Sequence, residues 1–215
     1  MPLMIAILDR QHFGKPNRRS EDLGAGVDLD GDGVIEAHEW ETALTPIYLS
    51  ACQLKLEALG VEVVTFPYEG QKMSYKQRHA EACRLARENP EARVAYLAAH
   101  LNAGGGNYGL VIHDERSSGG KALAESIANG MRHYLPELYR VLVRGASSDS
   151  WARGLTTIRG IWSGPANLSG VCFEPLFMDN EDHQDLIKSD GLQRAGLSAA
   201  VGIEAWLNPD DQEMT

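Results

Sequence analysis

The fold is decided by residues 3–14, LMIAILDRQHFG, in which a short apolar run stops abruptly at a polar turn. An unbroken apolar run bounded by turn residues predicts a β-strand that is buried on both faces. His12 lies on the polar turn that follows this strand. In open α/β sheets ligands bind outside the carboxyl ends of the strands, so His12 stands where a functional side chain is expected.

Two later apolar runs end in the same way. Val94–Ala99 is followed by His100, and Leu168–Phe173 is followed by Glu174. The runs deliver two imidazoles and a carboxylate to strand ends, and one further carboxylate would complete a metalloenzyme site. A single histidine at a strand end is more often a hydrogen-bonding group than a ligand. Two of them with these flanks favour a metal site.

The composition is that of a soluble domain with one sizeable core. Of the 215 residues, 43% are hydrophobic and 23% are charged, which is ordinary for a globular protein. The net charge of −10 argues against nucleic acid as a partner, because such binding needs clustered Lys and Arg. The cysteines are far apart and form no CxxC pair, which excludes a disulfide framework and a sulfur-ligated zinc site; they are Cys52, Cys83 and Cys172.

Residues 28–39, DLDGDGVIEAHE, fit the twelve-residue calcium loop of an EF-hand. The pattern supplies carboxylates at alternate positions, a glycine for the sharp turn, a carbonyl ligand and a closing bidentate carboxylate. The predicted Ca²⁺ ligands are Asp28, Asp30, Asp32, the Val34 carbonyl and Glu39. The competing interpretation is an Asp- and Gly-rich surface loop that matches by chance. The loop occurs once, which favours a structural role over a sensor.

Strands alternate with helical patterns along the whole chain, which predicts a single-domain α/β fold with a mostly parallel twisted sheet flanked by helices. The helix after the calcium loop is expected to begin around Thr45, with Glu41 just before it or in a kinked first turn, because Pro46 is tolerated only near a helix start. The domain spans residues 1–215 and the calcium loop, at about 28–39, interrupts its first βαβ crossover. The other predicted helices are 74–88, 117–135, 181–188 and 192–207, and the other predicted strands are 61–66, 108–112 and 138–143.

Short motifs occur in a fixed order among these elements. They are DRQHFG at 9–14, DLGAG at 22–26, Glu41 about five helical turns before Gly60, AAHLNA at 98–103, LTTIR at 155–159 and CFEPLFMDNED at 172–182. In this order they resemble the zinc-dependent N-acetylmuramoyl-L-alanine amidases of the amidase-3 type. Those enzymes cleave the bond between the lactyl group of muramic acid and the L-alanine of the peptidoglycan stem peptide.

The resemblance implies a site and a substrate. It implies that His12, Glu41 and His100 hold Zn²⁺ and that Glu174 is the catalytic carboxylate. Three protein ligands leave one position open, as in catalytic zinc sites, and a nearby Glu can take a proton from water. Arg159 would hold the developing oxyanion or a substrate carboxylate. The implied substrate is peptidoglycan, acted on by a monomer.

The sequence departs from the family pattern on either side of these residues. Gln11 and Phe13 replace glycines beside His12, and Pro175 follows Glu174, which predicts a differently shaped entrance to the site. The sequence is therefore also compatible with other functions. They are a zinc carboxypeptidase or another amidohydrolase on a wall peptide, and a non-catalytic, calcium-stabilised wall-binding domain.

The start of the sequence and its apolar segments predict where the protein is made. It enters its first strand within three residues and shows no basic region followed by a long apolar run, the pattern of a secretory signal. No apolar segment approaches about 20 residues, so no membrane span is expected. As written, the chain is expected to be made in the cytoplasm and to reach the wall by phage-type release or by an export signal that this sequence lacks.

Overall fold

The computed structural model describes residues 3–14, 22–146 and 156–209. These residues form one six-stranded sheet with the order β2-β1-β3-β6-β4-β5. The strands are β1 (Met4–Arg10), β2 (Glu62–Phe66), β3 (Arg93–Ala99), β4 (Gly109–His113), β5 (Val141–Gly145) and β6 (Leu168–Glu174). The predicted α/β class with a mostly parallel sheet is confirmed.

Strands β2, β1, β3 and β6 run parallel, whereas β4 pairs with β6 in the antiparallel sense. Strands β1, β3 and β6 therefore end at the same border of the sheet, called here the carboxyl edge. Leu110, near the start of β4, is in register with Glu174 at the end of β6. The carboxyl edge is thus formed by the ends of some strands and the beginnings of others.

Helices cover both faces of the sheet. They are α1 (Glu41–Ala58), α2 (Tyr75–Glu88), α3 (Ser118–Tyr134), α4 (Thr156–Arg159), α5 (Glu181–Lys188) and α6 (Gly191–Leu207). Helices α1, α3 and α6 supply most of the core on one face, and α2 and α4 contribute to the core on the other. Alternate residues of β1 enter the two cores, Ala6 one and Ile7 the other, which confirms the prediction of a strand buried on both sides.

Helix α1 begins earlier than predicted. It starts at Glu41 rather than around Thr45, so Pro46 lies inside it. A helix start leaves backbone N–H groups without partners within the helix, and here carbonyls of residues 23–25 accept hydrogen bonds from the first two. The Glu41 amide donates to the Ala25 carbonyl at 2.8 Å. The start of α1 therefore depends on tertiary contacts that the periodicity of the sequence does not show.

Smaller differences lie near β5. The strand predicted at 138–143 lies at Val141–Gly145, because the chain after α3 first forms a turn in which the Leu138 amide donates to the Leu135 carbonyl. The short α4 was not predicted. No helix within the described ranges is both long and apolar enough to cross a membrane.

Candidate active site

Three predicted metal ligands meet at the carboxyl edge. His12 lies in the turn after β1, His100 directly after β3, and Glu41 at the first position of α1. His12 Nε2 is 3.2 Å from His100 Nδ1 and 3.2 Å from Glu41 Oε2. His100 Nδ1 is 2.9 Å from Glu41 Oε1. Residues separated by 88 positions in sequence thus present their donor atoms to one point.

The Glu41 carboxylate is fixed by main-chain amides as well as by the imidazoles. Its Oε2 accepts from the Ala25 amide at 3.1 Å, and its Oε1 accepts from the Leu101 amide at 2.9 Å. Gly24 passes directly over this carboxylate with a φ of +75°, and a Cβ at that position would overlap Glu41. Main-chain amides therefore fix the orientation of the Glu41 carboxylate, and position 24 requires a glycine because a side chain there would overlap it.

Neighbouring groups shift the pKa values of Glu41 and His12. Burial raises the pKa of Glu41, but hydrogen bonds and Coulombic attraction from His100 and His12 outweigh it and hold that pKa far below its ordinary value of 4.5. Burial lowers the pKa of His12, but its contacts with Glu41 and Asp22 outweigh this and raise that pKa above 6.5. The pocket formed by these groups therefore stabilises a positive charge.

The donor set fits a zinc ion. Zinc takes tetrahedral nitrogen and oxygen ligands at about 2.0–2.1 Å, which separates neighbouring ligand atoms by about 3.4 Å. The separations of 2.9–3.2 Å among the three side chains are close to this value. The other ring nitrogen of His100, Nε2, does not face Glu41 and is buried without a hydrogen-bond partner within the described residues. Two imidazole nitrogens and a carboxylate that face one point are a donor set found in catalytic zinc sites.

Asp22 completes the cluster and was not assigned a role from the sequence. Its Oδ1 lies 3.0 Å from His12 Nδ1, the ring nitrogen that faces away from Glu41. A carboxylate on the far nitrogen fixes the ring orientation and raises the basicity of a metal-binding imidazole. The signal was present, because Asp22 begins the DLGAG motif, but its contact with His12 depends on the tertiary fold.

Glu174 lies beside the metal cluster rather than within it. It is 4% exposed, and its Oε2 accepts a hydrogen bond from Asn102 Nδ2 at 2.6 Å. The His100 amide donates to the Phe173 carbonyl at 3.0 Å, so the ends of β3 and β6 are directly bonded. The predicted catalytic carboxylate therefore shares the carboxyl edge with the predicted metal ligands, and its other oxygen, Oε1, lies 3.7 Å from Cys172 Sγ.

Arg159 is the predicted site residue with the weakest structural connection to the others. It is exposed at the end of α4, next to Ile158, which is buried in the core that α2 covers. Leu155, the first residue of its motif, lies outside the described residues. The role of Arg159 stays a prediction.

A cleft of about 770 Å³ opens beside His12. This volume lies in the range of small-molecule and peptide-sized sites. Its apolar lining includes Phe13, Leu23 and Trp40, and its polar lining includes Asp22 and Lys72. Of the residues at the candidate site, His12 and Asp22 line this cleft.

The predicted calcium loop is curled around its own carboxylates. One oxygen each from Asp28, Asp30 and Asp32 lie within 4.8 Å of one another. Asp28 accepts from two glycine amides of the loop at 2.7 Å, and the Val34 amide donates to Asp32 at 2.8 Å. The predicted closing ligand, Glu39, is fully buried.

Glu39 also belongs to a second acidic group. It lies with Asp30 and Glu36, and the acidic oxygens of the three fall within 4.8 Å of one another. Glu39 accepts hydrogen bonds from the Leu29 and Glu36 amides. The calcium prediction did not include Glu36. The loop therefore gathers its acidic side chains in two overlapping groups.

Comparison with solved structures finds this fold in Cwp6 and in several N-acetylmuramoyl-L-alanine amidases. Cwp6 from Clostridium difficile aligns with a TM-score of 0.69 and 19% identity over 96% of this chain and 30% of that protein, so the chain spans about a third of its length. The N-acetylmuramoyl-L-alanine amidase AmiC2 of Nostoc punctiforme aligns with a TM-score of 0.64 and 18% identity over 96% of this chain and 97% of that one.

The N-acetylmuramyl-L-alanine amidase Ami1 from Mycobacterium smegmatis gives a TM-score of 0.63 and 18% identity over 97% and 99% of the two chains. No protein-family model and no curated protein matches the sequence. At these identities the likeness establishes a shared fold.

Proposed function

We propose that this protein is a zinc-dependent amidase that hydrolyses the bond between N-acetylmuramic acid and L-alanine in peptidoglycan, acting at the cell wall as a monomer. The observation that carries the proposal is the convergence of His12, Glu41 and His100 beside Glu174. The shared fold with named amidases supports it.

In the proposed mechanism, His12, Glu41 and His100 would hold the zinc ion. When bound, zinc lowers the pKa of water and polarises the amide carbonyl. Glu174 accepts the proton of the attacking water and then donates it to the leaving L-alanine amine. Arg159 pairs with a substrate carboxylate or with the developing oxyanion.

The test is the release of new amino groups from purified peptidoglycan. We expect L-alanine amino ends to appear, to stop when a chelator removes the metal, and to return when zinc is restored. His100→Ala should abolish release, whereas the matched control His133→Ala, at an exposed position on α3, should not. Chelator-resistant release, or the absence of L-alanine ends, refutes the proposal. Release of a carboxy-terminal amino acid instead identifies a carboxypeptidase.

We also propose that residues 28–39 bind one Ca²⁺ through Asp28, Asp30, Asp32, the Val34 carbonyl and Glu39. Hard oxygen ligands at this spacing suit calcium. The double variant Asp30→Ala/Asp32→Ala should melt below the wild type only when calcium is present, because ligand binding stabilises only the chain that binds it.

The matched control is Asp185→Ala, on the exposed side of α5, which should keep the full calcium response. Equal melting of wild type and double variant in saturating calcium would retire the calcium site.

A further inference from the structure

Arg78 is a fully buried cation beneath the turn that carries His12. It lies in the first turns of α2 and has no solvent exposure. Its Nη1 donates to the Arg10 carbonyl at 2.9 Å, and its Nη2 donates to the Phe13 carbonyl. These carbonyls flank His12 on either side in the sequence. One guanidinium therefore spans the whole turn.

The same guanidinium ties this turn to the rest of the structure. Its Nε donates to the Met73 carbonyl at 2.9 Å, and the Met73 amide donates to the Gly14 carbonyl at 2.9 Å. Residues 11–14 belong to no strand or helix. The position of the His12 backbone therefore depends on the Arg78 fork and a small number of main-chain bonds.

Asp9 balances the charge of Arg78. Its carboxylate accepts from Arg78 and also from Tyr96 and Gln11, all of them nearly inaccessible to solvent. Removing two charges from water costs several kcal/mol per ion, which their attraction barely repays, so a buried pair contributes little net stability. The contacts of this pair instead converge on one functional turn.

We propose that Arg78 is a positioning residue for His12. By bridging the Arg10 and Phe13 carbonyls it holds the turn so that His12 Nε2 stands 3.2 Å from Glu41 Oε2. The inference rests on the proposed metal site, and its consequence is a preorganised zinc ligand.

The decisive variant is Arg78→Lys. Lysine keeps a positive charge beside Asp9, but its single ammonium cannot reproduce a planar fork that reaches several acceptors at once. We expect zinc affinity, measured by competition with a chromophoric chelator, to fall about tenfold or more, which is the usual cost of losing a residue that orients a metal ligand. The kcat at saturating zinc should fall with little change in KM.

The matched control is Asn167→Ala. Asn167 lies immediately before β6 and away from the carboxyl edge, and its Nδ2 is within hydrogen-bond distance, 2.9–3.1 Å, of the carbonyls of Ala86, Asn89 and Ala92. Its loss should lower the melting temperature and leave zinc affinity unchanged. Wild-type zinc affinity in Arg78→Lys, or an equal loss in Asn167→Ala, overturns the inference.

A measurement on the wild type covers the case in which Arg78→Lys does not fold. The amides of Phe13 and Met73 donate to the carbonyls of Arg10 and Gly14. In metal-free protein these two amides should exchange with deuterium as slowly as those of β1. Fast exchange there overturns the inference. A wild type that binds no zinc overturns the proposed function instead, so the two failures are distinguishable.

Discussion

Glu174→Gln is the sharpest test of how the site works. Glutamine has the same length, and its side-chain oxygen can still accept the 2.6 Å hydrogen bond from Asn102 Nδ2. The changed group lies near Cys172 Sγ, 3.7 Å from Glu174 Oε1. Because Glu174 contributes no atom to the metal cluster, zinc affinity and the melting temperature should stay close to those of the wild type.

The rate should fall sharply, because an amide cannot carry the proton. A positioned acid–base group contributes about 10²–10⁴-fold, which corresponds to about 2.7–5.4 kcal/mol in the activation free energy. The assay is the initial rate of L-alanine amino-group release from peptidoglycan with stoichiometric zinc. Glu181→Gln, in an exposed position at the start of α5, is the control and should match the wild type.

Two results would refute this reasoning. If Glu174→Gln retains a rate within about threefold of the wild type, well short of the acid–base contribution, Glu174 does not carry the proton. If the variant loses zinc, the carboxylate is a metal ligand and the assignment of roles is wrong.

Further variants test the surroundings of the cluster. Asp22→Asn should weaken zinc binding by about 10–100-fold, because the amide no longer holds His12 Nδ1 as a carboxylate does; unchanged affinity by chelator competition would contradict this. In metal-free protein, the depressed pKa of Glu41 adds stability that is present above about pH 4.5 and lost as the pH falls through its folded pKa. The raised pKa of His12 adds stability that is present below about pH 6.5 and lost as the pH rises through its folded pKa. Urea unfolding in a chelator should therefore show these contributions together between about pH 4.5 and 6.5, and a profile flat from pH 4 to 8 would contradict the coupling. Tyr48→Phe removes the 3.0 Å bond to the His100 carbonyl and should lower the free energy of unfolding by about 1 kcal/mol, so an unchanged urea midpoint would show that this bond contributes nothing.

The sequence by itself determined the fold class and most of the site candidates. Apolar runs of strand length that stop at His12, His100 and Glu174 carry their own boundaries, because burial on both faces requires continuous apolar residues. Parallel strands place such endings at a common edge, so the meeting of these residues followed from the pattern. The helix at Glu181–Lys188 was likewise predicted with its observed ends.

Only the tertiary structure decided what holds those residues in place. Helix α1 begins at Glu41 because a distant backbone segment satisfies its first amide. Asp22 and Arg78 act on the His12 turn through contacts that no local periodicity encodes. The end of a buried strand can be predicted from local hydrophobicity. The partners of a buried polar group cannot, because they depend on which distant segments the fold brings within hydrogen-bond range.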